Sequence, residues 1–132
     1  MRVVGVFREL TGQKASFLPS IYEVKNKLLP QDATQLVAYL RKGVPVFDVM
    51  EATRDAFDPT KFVNGGPSLL SDGTWVWRED LAYYVECYRV DVCSEFIEHA
   101  RRATAEKLDE AAITARCEEA LAAYERFESS GE

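Results

Sequence analysis

The stretch from Ser68 to Tyr88 constrains the fold more than any other part of the chain. Ser68-Leu69-Leu70-Ser71 and Thr74-Trp75-Val76-Trp77 are strand-like runs, and the Asp72-Gly73 between them suits a two-residue turn whose residues take positive φ. Such a turn pairs Ser71 with Thr74, Leu70 with Trp75, Leu69 with Val76 and Ser68 with Trp77. Side chains alternate across a strand, so Leu70, Trp75 and Trp77 share one face while Leu69 and Val76 share the other. A helix follows almost at once. Leu81, Tyr84, Val85 and Tyr88 recur at i, i+3, i+4 and i+7, a buried stripe, with Glu79 and Asp80 at its positive end. A hairpin that runs straight into a core helix defines an α+β domain.

The remaining elements follow from punctuation and periodicity. Val3 to Phe7 reads as a strand, and Gly12-Gln13-Lys14 as loop. Ser20-Ile21-Tyr22-Glu23 has the form of a capping box, opening a helix whose inner residues are Ile21, Val24 and Leu28 and which stops at Pro30. Asp32-Ala33-Thr34-Gln35 opens a second helix with Leu36, Val37 and Leu40 inward, ended by Arg41-Lys42 and Gly43. Val44 to Met50 is a strand that Pro45 places at a sheet edge or strand start. Residues 51–67 are mostly loop, with Asp58-Pro59 and Gly65-Gly66-Pro67 as turns. Ser94 can cap a helix carrying Phe96, Ile97 and Ala100 inward, and residues 105–127 are rich in helix formers without Gly or Pro.

One helix from 94 to 128 would run ~52 Å at 1.5 Å per residue. A domain of this length is only roughly 36 Å across, so a bend near Arg102 to Thr104 is expected. The predicted architecture is a small antiparallel sheet that includes the 68–77 hairpin, covered by four to five helices, the last of them long. It forms a single α+β domain over 1–128, and 129–132 is a frayed tail.

Composition narrows the function. The chain of 132 residues carries a net charge of −6. Residues 105–132 account for most of it, with Glu106, Asp109, Glu110, Glu118, Glu119, Glu125, Glu128 and Glu132 against Lys107, Arg116 and Arg126. A nucleic-acid binder needs clustered Lys and Arg to displace counterions, and no such cluster exists. The acidic surface suits a basic protein partner, or serves only as a solvated face. No apolar run reaches the ~20 residues of a spanning helix, so no membrane partner is expected. Cys87, Cys93 and Cys117 form a poor disulfide framework, and the expected location is the cytoplasm.

Catalytic chemistry finds little support. His99 is the single histidine, with no Ser or Cys motif beside it, and it reads as structural. One His and three scattered Cys offer no paired spacing for zinc, so neither metal nor cofactor is expected. Asp48, Glu51, Asp55 and Asp58 gather around the 51–67 loop, where two carboxylates would serve as acid and base only if they converge. Gly65-Gly66-Pro67 lacks the lysine and following helix of a phosphate cradle.

The aromatic hairpin and the acids are the candidate contacts to a partner: Asp72, Trp75, Trp77, Arg78 and Glu79 at the hairpin and its rim, Asp55 and Asp58 in the loop, Glu118 and Glu119 in the acidic third. Aromatics and Arg dominate binding hot spots, but aromatics also dominate cores, so Trp75 and Trp77 fit either role.

The run Ser-Asp-Gly-Thr-Trp-Val-Trp-Arg-Glu-Asp-Leu-Ala-Tyr-Tyr-Val-Glu-Cys-Tyr-Arg-Val at 71–90, followed by Glu95-Phe96, resembles a segment of small uncharacterised bacterial proteins, many of them actinobacterial. Arg8-Glu9-Leu10, Pro19-Ser20-Ile21 and Tyr39-Leu40-x-x-Gly43 look similar to earlier parts of that pattern, while Val92-Cys93 stands where it has Leu-Pro. Such proteins are similar in size and charge to immunity proteins, which block toxins of neighbouring bacteria. The resemblance implies a non-catalytic chain that binds and neutralises a toxin domain, and it carries over no catalytic residues. An adaptor or regulatory module, dimeric through the C-terminal helix, is the second expectation. An enzyme using the carboxylates between Asp48 and Asp58 is the third.

Overall fold

The computed structural model describes residues 1–11 and 16–131. The loop expected at Gly12-Gln13-Lys14 lies outside these residues, as does Glu132. Four strands form the main sheet: β1 (Arg2–Val3), β2 (Val44–Phe47), β5 (Leu69–Ser71) and β6 (Trp75–Arg78), in the order β1-β6-β5-β2. A separate two-stranded sheet pairs β3 (Ala52–Arg54) with β4 (Phe62–Asn64). The helices are α1 (Pro30–Leu40), α2 (Asp80–Tyr88), α3 (Ser94–Ala103), α4 (Glu110–Thr114) and α5 (Cys117–Ser130). The α+β class, the helix count and the long C-terminal helix are as the sequence implies.

The main sheet separates two cores. Trp75 and Trp77 face a cluster built from α1, α2 and α3, including Leu36, Tyr39, Leu40, Leu81, Tyr84, Val85 and Phe96, with Leu70 packed beside them. Leu69 and Val76 face the other way, against Ala120, Ala123 and Tyr124 of α5 together with Val6 and Leu18. This three-layer arrangement explains why every residue of β6 is buried. The hairpin faces are those predicted, but the register is not. Leu70 pairs with Trp77 and Ser71 with Val76, and the Asp72 amide donates to the Trp75 carbonyl at 3.3 Å. Gly73 and Thr74 are therefore the loop, with Gly73 at φ +96°. The shift of two residues preserves the alternation, so each side chain stays on its predicted face. Its cause is the Asp72 side chain, whose Oδ1 accepts from the amides of Thr74 at 2.9 Å and Trp75 at 2.7 Å, so Asp72 precedes the loop instead of opening it.

Further expectations are corrected. The sheet is mixed, because β1 pairs with β6 in parallel, and β1 ends early where the chain turns at Gly5 (φ +69°). Residues 21–28 form one 3-10 turn, Ile21–Glu23, and no α-helix. The capping acid is Glu9: its carboxylate accepts from Ser20 Oγ at 2.6 Å and the Ile21 amide at 2.7 Å. Beyond that turn the backbone pairs with the end of α2, Asn26 N–H to Tyr88 O at 2.8 Å and Leu28 N–H to Arg89 O at 3.2 Å. Pro30 starts α1 at the first helical position, where its missing N–H costs nothing, and so does not stop a preceding helix. Residues 51–67 lie mostly outside strands, as expected, but include the short strands β3 and β4, which pair as a hairpin.

β2 is an edge strand, as Pro45 requires. The long C-terminal helical region breaks after Ala103, with α4 and α5 as separate segments, and Ser129 and Ser130 complete the last turn of α5 instead of fraying.

Candidate functional site

Three carboxylates with buried side chains, Asp72, Asp80 and Asp55, organise the molecule. Asp72 closes the main hairpin. Its Oδ2 accepts from the Tyr39 hydroxyl at 2.6 Å and lies 2.8 Å from His99 Nε2, while Oδ1 serves the two loop amides. The carboxylate is an acceptor, so the proton of that His99 bond belongs to Nε2. Burial first, and then the bond to Asp72, push the Tyr39 pKa above its usual value. His99 thus has the orienting partner that its sequence neighbours do not supply. It lines a cleft of about 440 Å³ with Arg2, Thr74, Ser94 and Glu98. Among the described residues neither the Thr74 nor the Ser94 hydroxyl hydrogen-bonds the imidazole, whose hydrogen-bond partners are Asp72 and, at 3.5 Å, Tyr39.

Arg78 and Asp80 form a buried pair, with Nη2 to Oδ2 at 2.8 Å and Nε to Oδ1 at 3.1 Å. Arg78 also donates to the Leu10 carbonyl at 2.7 Å. Burial disfavours the charged guanidinium, but Asp80 beside it outweighs that and keeps Arg78 protonated. The pair ties the N-terminal segment and β6 to the start of α2, and removing one partner would strand a buried charge.

Asp55 sits in the connection from β3 to β4 and is buried. Its Oδ1 accepts the amides of Phe57 at 2.7 Å and Asp58 at 3.1 Å, and its Oδ2 accepts the hydroxyls of Tyr83 at 2.6 Å and Tyr88 at 2.7 Å. Burial pushes its pKa up, but these four donors together pull it below the usual carboxylate range. The Tyr84 hydroxyl accepts the Ala56 amide at 3.0 Å, so α2 holds the whole connection through three tyrosines. Asp58 binds Thr60 through its amide and hydroxyl, which lowers the Asp58 pKa. The four acids around 51–67 therefore do not converge as an acid–base pair.

Among the predicted contact residues, Trp75 (3 % exposed) and Trp77 (1 %) are core, and Arg78 and Asp55 are buried. The Asp72 carboxylate is spent on the turn. Their burial has a plain cause: helices cover both faces of this sheet, so its aromatic face has no outlet to solvent. Glu79, Glu118 and Glu119 are exposed, and Asp58 is half-buried.

Exposed apolar side chains lie in two regions: Phe17, Tyr22 and Leu29 ahead of α1, each more than half exposed, and Phe47 (42 %), Met50 (fully) and Phe62 (54 %) in and just before the β3–β4 hairpin. Phe47 ends β2, Met50 precedes β3 and Phe62 opens β4 opposite Arg54, in a hairpin whose base is fixed by the Gly65 amide to the Glu51 carbonyl at 2.8 Å. Asp48 and Glu51 beside them are exposed and make no ion pair among the described residues, whereas Arg54 stacks on Phe62 at 5.1 Å and Lys61 pairs with Asp58 at 3.9 Å.

Sequence reasoning missed Glu9, Tyr39 and the convergence of Tyr83 with Tyr88. Residues five apart on a helix lie about 140° apart around its axis, so periodicity hides that convergence. Asp55-x-Phe57-Asp58, a carboxylate ahead of two free amides, was the available signal for the turn.

Comparison with protein-family models, curated proteins and solved structures finds no match to this chain. Among the described residues no helix is long and apolar enough to cross a membrane, and no group of three or more His, Cys, Asp or Glu is placed to hold a metal ion.

Proposed function

We propose that this chain is a non-catalytic binding protein of the immunity type, which occludes a basic toxin domain with the β3–β4 hairpin and the β2 end beside it. The observation that carries this reading is the exposure of Phe62 on the hairpin and of Phe47 and Met50, whose chain neighbours Asp48 and Glu51 are exposed and make no ion pair among the described residues. Apolar anchors give a complex its residence time, and the acids around them favour a cationic partner. A stable interface needs ~800 Å² per partner, roughly a tenth of the 7279 Å² this chain exposes. The hairpin is preorganised by Asp55 and the three tyrosines of α2, so little ordering entropy opposes docking.

The test is to search the reading frames adjoining this one for a toxin domain and to co-express the chain with it, reading cell growth and recovery of a stoichiometric complex. Rescue by the wild-type chain, lost in a Phe47→Ser/Met50→Ser/Phe62→Ser variant that remains folded, supports the reading. Full rescue by that variant moves the interface off this face, and the lack of any complex removes the immunity reading in favour of an adaptor.

A further inference from the structure

The Lys25 ammonium rests over two aromatic rings, 4.9 Å from the centroid of Phe57 and 5.4 Å from that of Tyr88. Those rings pack on each other at 4.5 Å, and Tyr22 meets Phe57 edge-on at 5.4 Å. Aromatic faces attract cations through their quadrupole. Here the attraction is reinforced from behind. The Tyr88 hydroxyl donates at 2.7 Å to the buried Asp55 carboxylate, and a phenol sharing its proton with an anion has a more electron-rich ring. Burial first, and then the Asp55 and Asp58 carboxylates, push the Tyr88 pKa up to about 12.

The surface is rigid while its occupant is not. Tyr22 is fixed by its hydroxyl donating to Ala56 O at 3.0 Å, and Phe57 by its amide on Asp55. The backbone on either side of Lys25 is anchored by Asp91 N–H to Val24 O at 3.1 Å and Asn26 N–H to Tyr88 O at 2.8 Å. The Lys25 side chain itself is exposed and makes no hydrogen bond or ion pair among the described residues. It can therefore swing out by rotating its own bonds, with no movement of the backbone.

We propose that the Tyr22–Phe57–Tyr88 surface is a recognition site for a basic side chain of the protein partner, and that Lys25 fills it in the free chain as an exchangeable internal stand-in. The site rests on the reading of this chain as a binder of a basic protein, and it places a second contact on the β3–β4 connection, in the same hairpin as the exposed face. An internal ammonium seated on the rings demonstrates the chemistry the surface selects. It also sets a threshold, since an incoming cation must outcompete it.

The test needs no partner. Nα-acetyl-arginine methylamide and Nα-acetyl-lysine methylamide are titrated against the full chain, reading the ring protons of Phe57 and Tyr88 by NMR. Lys25→Met keeps the apolar stem and removes the competing charge, so it should bind either probe about fivefold more tightly than wild type. Tyr22→Leu on that background should weaken binding, with circular dichroism confirming the fold. The neutral Nα-acetyl-norleucine methylamide should leave the rings unshifted. Absence of ring shifts in folded Lys25→Met, or equal shifts from the neutral probe, overturns the site and leaves the toxin-binding reading standing. Conversely, probe binding without any partner complex upholds the cation site and sinks only that reading.

Discussion

His99 and Asp72 lie twenty-seven residues apart in the chain and meet at 2.8 Å, joining helix α3 to the turn of the central hairpin. The bond is one of four that Asp72 receives, so His99 tightens a turn that Tyr39 and two loop amides already hold. His99→Ala should cost about 1 kcal/mol of stability in a denaturant melt, the usual net worth of one hydrogen bond. Partner binding should stay within severalfold of wild type. A loss of 10²-fold or more without unfolding would give the His99 cleft an acid–base role.

Val85 makes a sharper case for the core. It is fully buried in α2 among Tyr84, Leu81 and the sheet-facing aromatics. Val85→Asp would bury a carboxylate with no partner, and little folded protein should remain. Normal solubility and an unchanged melting temperature would contradict the helix face assigned here.

The α2 stripe through Leu81, Tyr84 and Val85, the two sheet faces and the break in the C-terminal helices were legible because each rests on local periodicity or on chain length. Tyr88, expected in the same stripe, is instead half-buried with its hydroxyl on Asp55. The register of the hairpin was not legible. Asp-Gly fits a two-residue turn either as its loop or as its first half, and the choice depends on the Asp72 carboxylate capturing two amides. The lost helix at 21–28 has a similar origin. Ile21 and Leu28 are buried as the stripe predicts, but Glu9 supplies the cap from a distant segment and α2 claims the following amides. The candidate site was legible in part. The acids at 48–58 were visible, whereas the aromatics that look most like an interface, Trp75 and Trp77, are covered by layers on both sides of the sheet.

Asp55 should show itself in the pH dependence of stability. Its folded pKa lies below the unfolded value of about 3.9, so its contribution is complete above that value and fades as pH falls through the folded pKa. Tyr88 acts at the other end. Its pKa is raised to about 12, so its contribution is present below the unfolded value of about 10 and is lost as pH rises towards 12. The stability advantage of wild type over Asp55→Asn should therefore be flat from about pH 5 to 9, at about 2 kcal/mol, and shrink on both flanks. Denaturant melts across that range measure it, and an advantage that persists at pH 2 would mean that packing, and not the ionised carboxylate, is what the substitution removes.

Charge and apolar anchors should divide the binding kinetics between them. Distributed charge steers encounter and is screened over a ~8 Å Debye length at physiological salt, whereas buried apolar anchors set how long a complex lasts. Asp48 and Glu51 flank the exposed face, while Glu118 and Glu125 are exposed on α5. Asp48→Asn with Glu51→Gln should slow association and flatten its salt dependence, with dissociation nearly unchanged. Glu118→Gln with Glu125→Gln should do the same more weakly, because those residues contribute only to the general field of the molecule. Phe62→Ala or Met50→Ala should instead speed dissociation by tenfold or more, since ~1.4 kcal/mol already corresponds to that factor. Surface-based kinetics at several salt concentrations, with circular dichroism on each variant, separates the two effects. If the Asp48/Glu51 variant associates at the wild-type rate in low salt, those acids are a solvated rim. If both apolar truncations dissociate at the wild-type rate, the β3–β4 face is not where the partner is held.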